Sequence, residues 1–185
     1  MAENSFEVGQ ALPADAEDIA RLIGLLLDEI MEVMGERVFS FDVAQSSSQL
    51  CQFIHVGQYV AFVARENGGR MIGVVTLSES CALYAGGPFG IIPEFYVVPE
   101  WRSHGVGALL VAAAEVHARS RGWRRLEVTT PPLPQFERTL SFYEHQGFSV
   151  TGGRKLKLEV QANPVLPPLT LLHDEHPDRL MNSDR

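Results

Sequence analysis

A change of hydrophobic period across residues 91–116 constrains the fold of this 185-residue chain more than any other feature. Residues 91–98 are mostly apolar and rich in β-branched and aromatic side chains, which predicts a buried strand. Pro99 ends that strand, because proline has no N–H to donate to a sheet. Apolar residues then recur on one helical face, at Val106, Leu109, Leu110, Ala113 and Val116. The sequence therefore predicts a strand, a turn and a helix in direct succession.

The turn itself, Arg102-Ser103-His104-Gly105-Val106-Gly107, lies at the predicted helix N-terminus, where free backbone N–H groups point outwards. Its two glycines would let a ligand approach the main chain without meeting a Cβ atom. Such a turn suits a phosphate or pyrophosphate, and Arg102 adds positive charge. Glycines placed there for packing alone explain the turn by itself equally well. Both common nucleotide-binding fingerprints, the Gly-rich loop ending in Lys-Ser/Thr and the three-glycine dinucleotide motif, are missing.

Composition narrows the class of protein. The chain is 45% hydrophobic and 21% charged, which predicts one globular domain. Its formal net charge of −8 argues against nucleic acid as a partner and is compatible with a cationic small-molecule acceptor. Two cysteines are too few for a disulfide framework or a four-ligand zinc site. The absence of a signal-like N-terminus or a long apolar run predicts a cytoplasmic protein with no membrane partner.

Periodicity and turn residues predict the remaining elements along the chain. They are strands over residues 6–12, 59–64, 71–77, 126–130, 148–151 and 155–160, and helices ending at Gly35 and spanning 46–56 and 135–146. Gly86-Gly87-Pro88 predicts an irregular connection over residues 80–90. Residues 161–185 hold four of the eleven prolines and no apolar period, which predicts a tail or a packing arm.

Two motifs resemble those of one known family, the Gcn5-related N-acetyltransferases (GNAT). The turn from Arg102 to Gly107 resembles the family's acetyl-CoA signature Arg/Gln-x-x-Gly-x-Gly/Ala, and residues 142–148 resemble its aromatic-Tyr-x-x-x-Gly-Phe segment. The resemblance implies an α/β (α+β) fold over residues 6–160. Its sheet would be mixed, mostly antiparallel and six- to seven-stranded, flanked by about four helices and splayed at the fourth strand. Residues 1–160 would form a single acetyltransferase domain, followed by a Pro-rich C-terminal tail over 161–185.

The resemblance also implies an activity and a binding site. The chain would transfer the acetyl group of acetyl-CoA directly to a primary amine, with no metal and no covalent acyl-enzyme. Its cofactor-binding groups would be the main chain of Phe95, Tyr96, Val97 and Val98 for the pantetheine arm, and Arg102 with the N–H groups of Ser103, His104, Gly105, Val106, Gly107 and Ala108 for the pyrophosphate. An asparagine that often begins the family's last helix is replaced by Pro134-Gln135-Phe136. Thr129, Thr130 or the main chain would then supply the remaining contacts.

Two residues are candidates for the chemistry. Tyr143 would be the general acid for the leaving thiolate, and its alternative is an aromatic side chain packed on the sheet. Glu94 would be the base, because an ammonium group must lose a proton before its nitrogen can attack a carbonyl. A solvated or ion-paired strand residue is the alternative for Glu94, and Glu127 is a weaker competitor for the same role.

Other interpretations stay open. A non-catalytic acyl-CoA-binding or regulatory domain would keep Arg102 and the two turn glycines but would need neither Glu94 nor Tyr143. The acceptor could be a polyamine, an aminoglycoside-like drug, an amino acid, or a protein N-terminus or lysine, and the acidic balance favours a small cationic amine. Residues 169–172 could pack on their own domain or on a partner subunit in a homodimer. His173-Asp174-Glu175-His176 has metal-ligand residue types but lies beside Pro177, which favours a surface tail.

Overall fold

The computed structural model describes residues 5–151 and 155–157. The described residues form six strands and four helices, which confirms the predicted α/β class. The strands are β1 (Phe6–Gln10), β2 (Tyr59–Glu66), β3 (Met71–Ala82), β4 (Gly87–Ile92), β5 (Phe95–Val97) and β6 (Leu126–Val128). The helices are α1 (Ala16–Met34), α2 (Val43–His55), α3 (Val106–Ser120) and α4 (Glu137–His145). Each of these helices is too short or too polar to cross a bilayer, a finding limited to the described residues.

The chain divides into two units, Met1–Ser149 and Val150–Arg185. In the second unit, residues 150–151 and 155–157 are in neither a helix nor a strand. The predicted strand over 148–151 is wrong, since none of these four residues is in a strand. The second half of the strand predicted over 155–160, the domain boundary at residue 160, the tail and the His173-to-His176 motif all lie outside the described residues.

A single open sheet holds the first unit together, in the order β1-β2-β3-β4-β6, with β5 also paired to β3. Every pair is antiparallel except β4 and β6, which run parallel. The long strand β3 supports two shorter strands along one edge. Its residues 78–82 pair with β4, and its residues 73–75 pair with β5. Pro93 and Glu94, between β4 and β5, carry no strand assignment.

The sheet splits beyond β4. Strand β6 pairs with Gly90, Ile91 and Ile92, and its pairing stops at Val128. Beyond that point β5 stays on β3, so one edge of β5 has no neighbouring strand among the described residues. This is the splay that the family resemblance implied at the fourth strand, which the structure divides into β4 and β5.

The connection predicted over residues 80–90 is wrong. Strand β3 continues to Ala82 and β4 begins at Gly87, so these residues form most of a hairpin. Gly86 and Gly87 both have positive φ and make its turn, which glycine adopts without a steric penalty. Pro88 is tolerated because it pairs with Cys81 near the start of β4, before β6 joins at Gly90.

Helices cover both faces of the sheet. Helix α3 lies against the face that carries Gly73, where a Cβ atom would approach the side chains of Leu110 and Val106 to 3.1 and 3.2 Å. Helix α1 packs on the other face, buries Ile19 and Leu22, and ends at Gly35 with φ of 70° as the sequence predicted. The core between these layers consists mainly of aliphatic side chains from α1, β2, β3 and α3, joined by Tyr96, Trp101 and Trp123.

Gly90 is expected to be required for packing against β6. A Cβ atom there would lie 2.5 Å from the Trp123 ring and 2.6 Å from the Leu126 side chain. Gly90→Ala should therefore lower the free energy of unfolding by about 1–3 kcal/mol through overpacking. Thermal unfolding monitored by circular dichroism measures the effect. Gly9→Ala, in β1 with nothing within 4 Å of the new Cβ, is the control, and equal melting temperatures for the two variants would contradict the prediction.

Candidate functional site

A cleft of about 500 Å³ opens where the sheet splits. One wall is β5, and the opposite wall is the chain that follows β6, including Thr129 and Pro131. The N-terminus of α3 and one face of α4 close two further sides, and Glu29 on α1 lies at the rim. The cleft therefore depends on the splay, because a continuous β4–β6 pairing would fill it.

The first turn of α3 presents backbone N–H groups near this cleft. The first helical hydrogen bond runs from the N–H of Leu109 to the carbonyl of Gly105, so the N–H groups of residues 106–108 precede the intrahelical ladder. Gly105 has φ of 85° and Ser103 has φ of 65°, which turns the chain sharply into the helix. Gly105, Gly107 and Ala108 line the cleft. Such a helix end attracts anions.

The open edge of β5 supplies a second set of backbone groups. Val98 donates its N–H to Ile72, and Thr76 donates its N–H to the Glu94 carbonyl, so the backbone of Glu94 and Val98 points towards β3. Because backbone direction alternates along a strand, Phe95 and Val97 direct their N–H and C=O groups towards the cleft. Of the four residues predicted to pair with a pantetheine arm, Phe95 and Val97 are therefore the two whose backbone groups face the cleft. The backbone groups of Tyr96 and Val98 face β3.

Arg102 is held by partners within the protein. Its guanidinium makes two hydrogen bonds to the Glu29 carboxylate, of 2.8 and 2.6 Å, and its Nε donates to the Val97 carbonyl at 2.9 Å. The same group lies 5.4 Å from the centre of the Tyr96 ring. Bidentate pairing of this kind fixes the orientation of an arginine and balances its charge. Arg102 therefore braces β5 against α1 and contributes little net positive charge to the cleft.

Arg138 on α4 brings a second positive charge to the cleft, whereas the charge of Arg102 is balanced by Glu29. Its Nη2 donates to the Ser103 hydroxyl at 3.1 Å, and both residues line the cleft. Within residues 5–151 and 155–157 Arg138 takes part in no ion pair. A cation and a helix N-terminus thus meet at the same end of the cleft.

Tyr143 is buried in a cluster of rings beside the split. Its ring centre lies 5.9 Å from that of Phe95 and 5.3 Å from that of Phe148, and 5% of its surface is exposed. Burial raises the pKa of the phenol, which therefore stays protonated at neutral pH. The residue lines the cleft. Phe142 in the same cluster explains why residue 107 is a glycine, since a Cβ atom there would approach the Phe142 ring to 3.1 Å.

Glu94 lies at the split but faces the other side of the sheet. Its neighbours Pro93 and Phe95 line the cleft, whereas the Glu94 side chain turns to the face that carries Thr76. The Thr76 hydroxyl donates to the Glu94 carboxylate, and the Glu94 N–H donates to the same hydroxyl at 3.1 Å. Burial raises the pKa of Glu94, and the bond from Thr76 opposes that rise.

The structure brings most of the predicted site residues to the cleft. Those that line it are Phe95, Tyr96, Val97, Arg102, Ser103, Gly105, Gly107, Ala108, Thr129 and Tyr143. Four others do not line it: Glu94 because its side chain lies on the face of Thr76, Val98 and Val106 because they are buried in the core, and His104 because it is exposed and its Nδ1 bonds the Arg102 carbonyl.

Sequence reasoning missed Glu29 and Arg138. Arg138 carried a usable signal, because its spacing from Phe142 and His145 places all three on one side of α4. Glu29 carried none, since its partner Arg102 is 73 residues away and charged residues are ordinary on the polar side of a helix. No three His, Cys, Asp or Glu side chains in the described ranges are grouped to hold a metal ion.

Comparison with known proteins gives one family match in sequence. A family model described as the acetyltransferase (GNAT) domain matches residues 57–150, which contain β2 to α4 and the whole cleft apart from its α1 rim. A comparison with curated proteins finds no match.

Several solved structures share the fold. An aminoglycoside acetyltransferase from an uncultured soil metagenomic sample, in complex with trehalose, superposes with a TM-score of 0.67 at 18% identity, covering 88% of this chain and 100% of that one. An aminoglycoside N-acetyltransferase in complex with CoA gives 0.68 at 17% identity, covering 84% and 95%. Glucosamine-6-phosphate N-acetyltransferase from Arabidopsis thaliana gives 0.64 at 17% identity, covering 83% and 98%.

Proposed function

Because the chain belongs to the GNAT acetyltransferase family, we propose that it transfers the acetyl group of acetyl-CoA directly to the primary amine of a small cationic acceptor. One observation carries this proposal: a helix N-terminus, an open strand edge and a protonated phenol all border one cleft. These are respectively an anion site, an amide-pairing site and a proton donor. A two-residue open edge and an anion site together suit a ligand that has both amides and phosphates.

The pyrophosphate of the proposed co-substrate would bind at the first turn of α3. The N–H groups of residues 106–108 and the backbone of the preceding turn would donate to its oxygens, and Arg138 would supply the charge. Arg102 would act differently from the role that the sequence suggested. Paired with Glu29, it would hold β5 in place and leave neutralisation of the phosphates to Arg138.

We expect Arg138→Gln to weaken CoA binding about tenfold, because one charge-assisted contact to phosphate is lost. Calorimetry with CoA and with pantetheine, which lacks the diphosphate, measures the effect, and the affinity for pantetheine should not change. The control is Arg124→Gln, which removes the same charge from an exposed residue that does not line the cleft. Equal losses for both ligands would show that Arg138 does not act through phosphate.

The pantetheine arm would pair with the open edge of β5 as a short added strand. Phe95 offers both an N–H and a C=O, and Val97 offers its N–H in addition to a carbonyl that already accepts from Arg102. Thr129, which lines the opposite wall, would contact the arm from the other side. These contacts would place the thioester near the splay, beside Tyr143.

The reaction would be a direct acyl transfer. The amine nitrogen attacks the thioester carbonyl, the C–N bond forms, the C–S bond breaks, and the nitrogen loses its proton. Glu94 would accept a proton from the ammonium form of the acceptor, approaching from the α1 face where that carboxylate lies. Tyr143 would donate a hydrogen bond to the sulfur, and then its proton as the thiolate leaves. The proton that the nitrogen loses after the C–N bond forms would pass through solvent to the Tyr143 phenolate and restore the phenol. The phenol is protonated at neutral pH, as a proton donor must be before the step.

A small cationic amine is the favoured acceptor class. The formal net charge of −8 and the carboxylate at the split both favour an approaching cation. Two of the proteins with the same fold are named for aminoglycosides, and a third for glucosamine-6-phosphate. These names indicate amines on sugar rings as the first compounds to test.

The test is acetyl-CoA turnover against a panel of amines: kanamycin, glucosamine-6-phosphate, spermidine, an amino acid and a peptide with a free N-terminus. Product should be detected by mass, because Cys51 and Cys81 are exposed and would react with a thiol reagent. We expect acetylation of at least one cationic small molecule. Binding of CoA without turnover on any amine would support a non-catalytic acyl-CoA-binding domain instead. No binding of CoA would refute both.

A further inference from the structure

Thr76 is the one buried polar side chain among the described residues. It lies in the middle of β3 with 0% of its surface exposed, on the same face of the strand as the aliphatic residues Ile72 and Val74. A hydroxyl buried in such surroundings is unfavourable unless it is hydrogen-bonded, and valine would fill the same volume without that penalty. The presence of threonine therefore needs an explanation in its hydrogen bonds.

Those bonds all go to Glu94. The Thr76 Oγ1 accepts the N–H of Glu94 at 3.1 Å and donates to its Oε2, while the backbone N–H of Thr76 donates to the Glu94 carbonyl at 2.9 Å. A hydroxyl has one proton, so accepting from the N–H leaves that proton for the carboxylate. One side chain thus fixes both the main chain and the carboxylate of Glu94.

The contact between Thr76 and Glu94 lies at a break in the sheet. Pro93 and Glu94 are the two residues at which β4 ends and β5 begins, so the regular ladder to β3 is interrupted there. Without a further restraint, a side chain at an irregular position has several rotamers available. At the point where the sheet splits, Thr76 keeps one backbone bond to Glu94 and adds two side-chain bonds where the regular ladder stops.

We propose that Thr76 is the positioning residue of Glu94, holding its carboxylate on the α1 face of the sheet beside the split and keeping it ionised for proton transfer. The proposal rests on the function proposed above, in which Glu94 is the base. Thr76 itself touches no substrate and has no role in the chemical step other than through Glu94.

The electrostatic surroundings of Glu94 support this role. Burial raises the pKa of its carboxyl, and the bond from Thr76 is the opposing influence. On β2, burial raises the pKa of the Tyr59 phenol to about 12, with the charge of the Glu94 carboxylate as the smaller cause. Tyr59 therefore stays neutral. On α1, Glu29 is paired with Arg102, and no ion pair to Glu94 occurs in the described ranges. Thr76 is thus the group that favours the ionised form.

The deciding experiment replaces the hydroxyl with a methyl group in Thr76→Val and measures the pKa of Glu94 directly. Carbon-13 NMR titration of the side-chain carboxyls gives that value, and the Glu94 signal is assigned by its loss in Glu94→Gln. We expect the pKa of Glu94 to rise by about one unit in Thr76→Val, because the lost hydrogen bond stabilised the charged form. The acid limb of the pH profile of kcat/KM should move upwards by the same amount.

Thr76→Ser is the matched control, since it keeps the hydroxyl and loses only the methyl group. It should restore the wild-type pKa and pH profile even if its melting temperature falls. A purely structural threonine would give a Val variant with lower activity at every pH and an unmoved acid limb, which would overturn the proposal. An unchanged pKa of Glu94 would overturn it equally. If Thr76→Val does not fold, Thr76→Ala takes its place with the same expected direction.

The design separates this inference from the proposed function. The NMR titration needs no acceptor, so it decides the role of Thr76 even if no amine on the panel is acetylated. If Glu94→Gln retains the acid limb, the assignment of the base fails, whatever the titration shows. If Glu94→Gln removes the limb and Thr76→Val does not move it, the positioning role fails and the base remains.

Discussion

Tyr143→Phe is expected to lower kcat about a hundredfold, the range for losing one proton donor, and to leave the Kd for CoA within about twofold of the wild-type value. The phenol would act only when the C–S bond breaks, and burial raises its pKa so that it carries its proton at neutral pH. Phenylalanine keeps the ring contacts to Phe95 and Phe148. Steady-state kinetics with the best amine of the panel and calorimetry with CoA give the two quantities.

Tyr84→Phe is the control for that prediction. Tyr84 is 78% exposed in the turn between β3 and β4 and does not line the cleft, so it loses the same hydroxyl without consequence for kcat. Full activity in Tyr143→Phe would refute the proton-donor role. A fall in CoA affinity as large as the fall in kcat would indicate that the hydroxyl serves packing or binding.

Glu94→Gln is expected to lower kcat/KM at pH 7 by about a hundredfold or more and to abolish the acid limb of its pH profile. A base acts in its ionised form, so the wild-type rate should fall as pH decreases through the pKa of Glu94. Burial raises that pKa, which places the limb above the ordinary range of a glutamate. Glutamine does not titrate in this range, and the slope should disappear with it. The measurement is kcat/KM between about pH 5 and pH 9.

Glu127→Gln serves as the comparison, since this residue is the other acidic candidate. Its carboxylate pairs with Arg125 at 3.2 Å, a structural partner close by in the chain. The variant should keep both the rate and the acid limb. If Glu127→Gln loses the limb and Glu94→Gln keeps it, the two assignments are exchanged.

The central part of the fold was predictable because it is specified locally. A β-rich run followed by a proline and a helical apolar period marks β5 and α3, and Gly105 occupies a backbone conformation with φ of 85° that favours glycine. The hairpin over residues 80–90 was missed for a local reason too. A Gly-Gly-Pro run is typical of irregular loops, and whether the proline lies at the start of a paired strand depends on where β6 begins.

The contacts that tune the site were not predictable, because they depend on register between distant elements. Thr76 meets Glu94 only because residues 73–75 of β3 pair with β5 in one register. A shift by one residue would place an aliphatic side chain opposite the carboxylate. The Arg102 signature in the sequence likewise indicated a phosphate ligand, and only the approach of α1 shows that Glu29 occupies that guanidinium.

The shortness of the open edge on β5 also bears on whether a strand of another molecule can pair with it. Unpaired strand edges can template pairing between molecules and so promote aggregation. Here two residues, Phe95 and Val97, direct backbone groups into a recess, and the Val97 carbonyl already accepts from Arg102. A strand from a neighbouring molecule would need a longer and more accessible row of partners to form a stable ladder. The cleft of this chain thus keeps an edge that a narrow ligand could reach and that is too short and recessed for another sheet to extend.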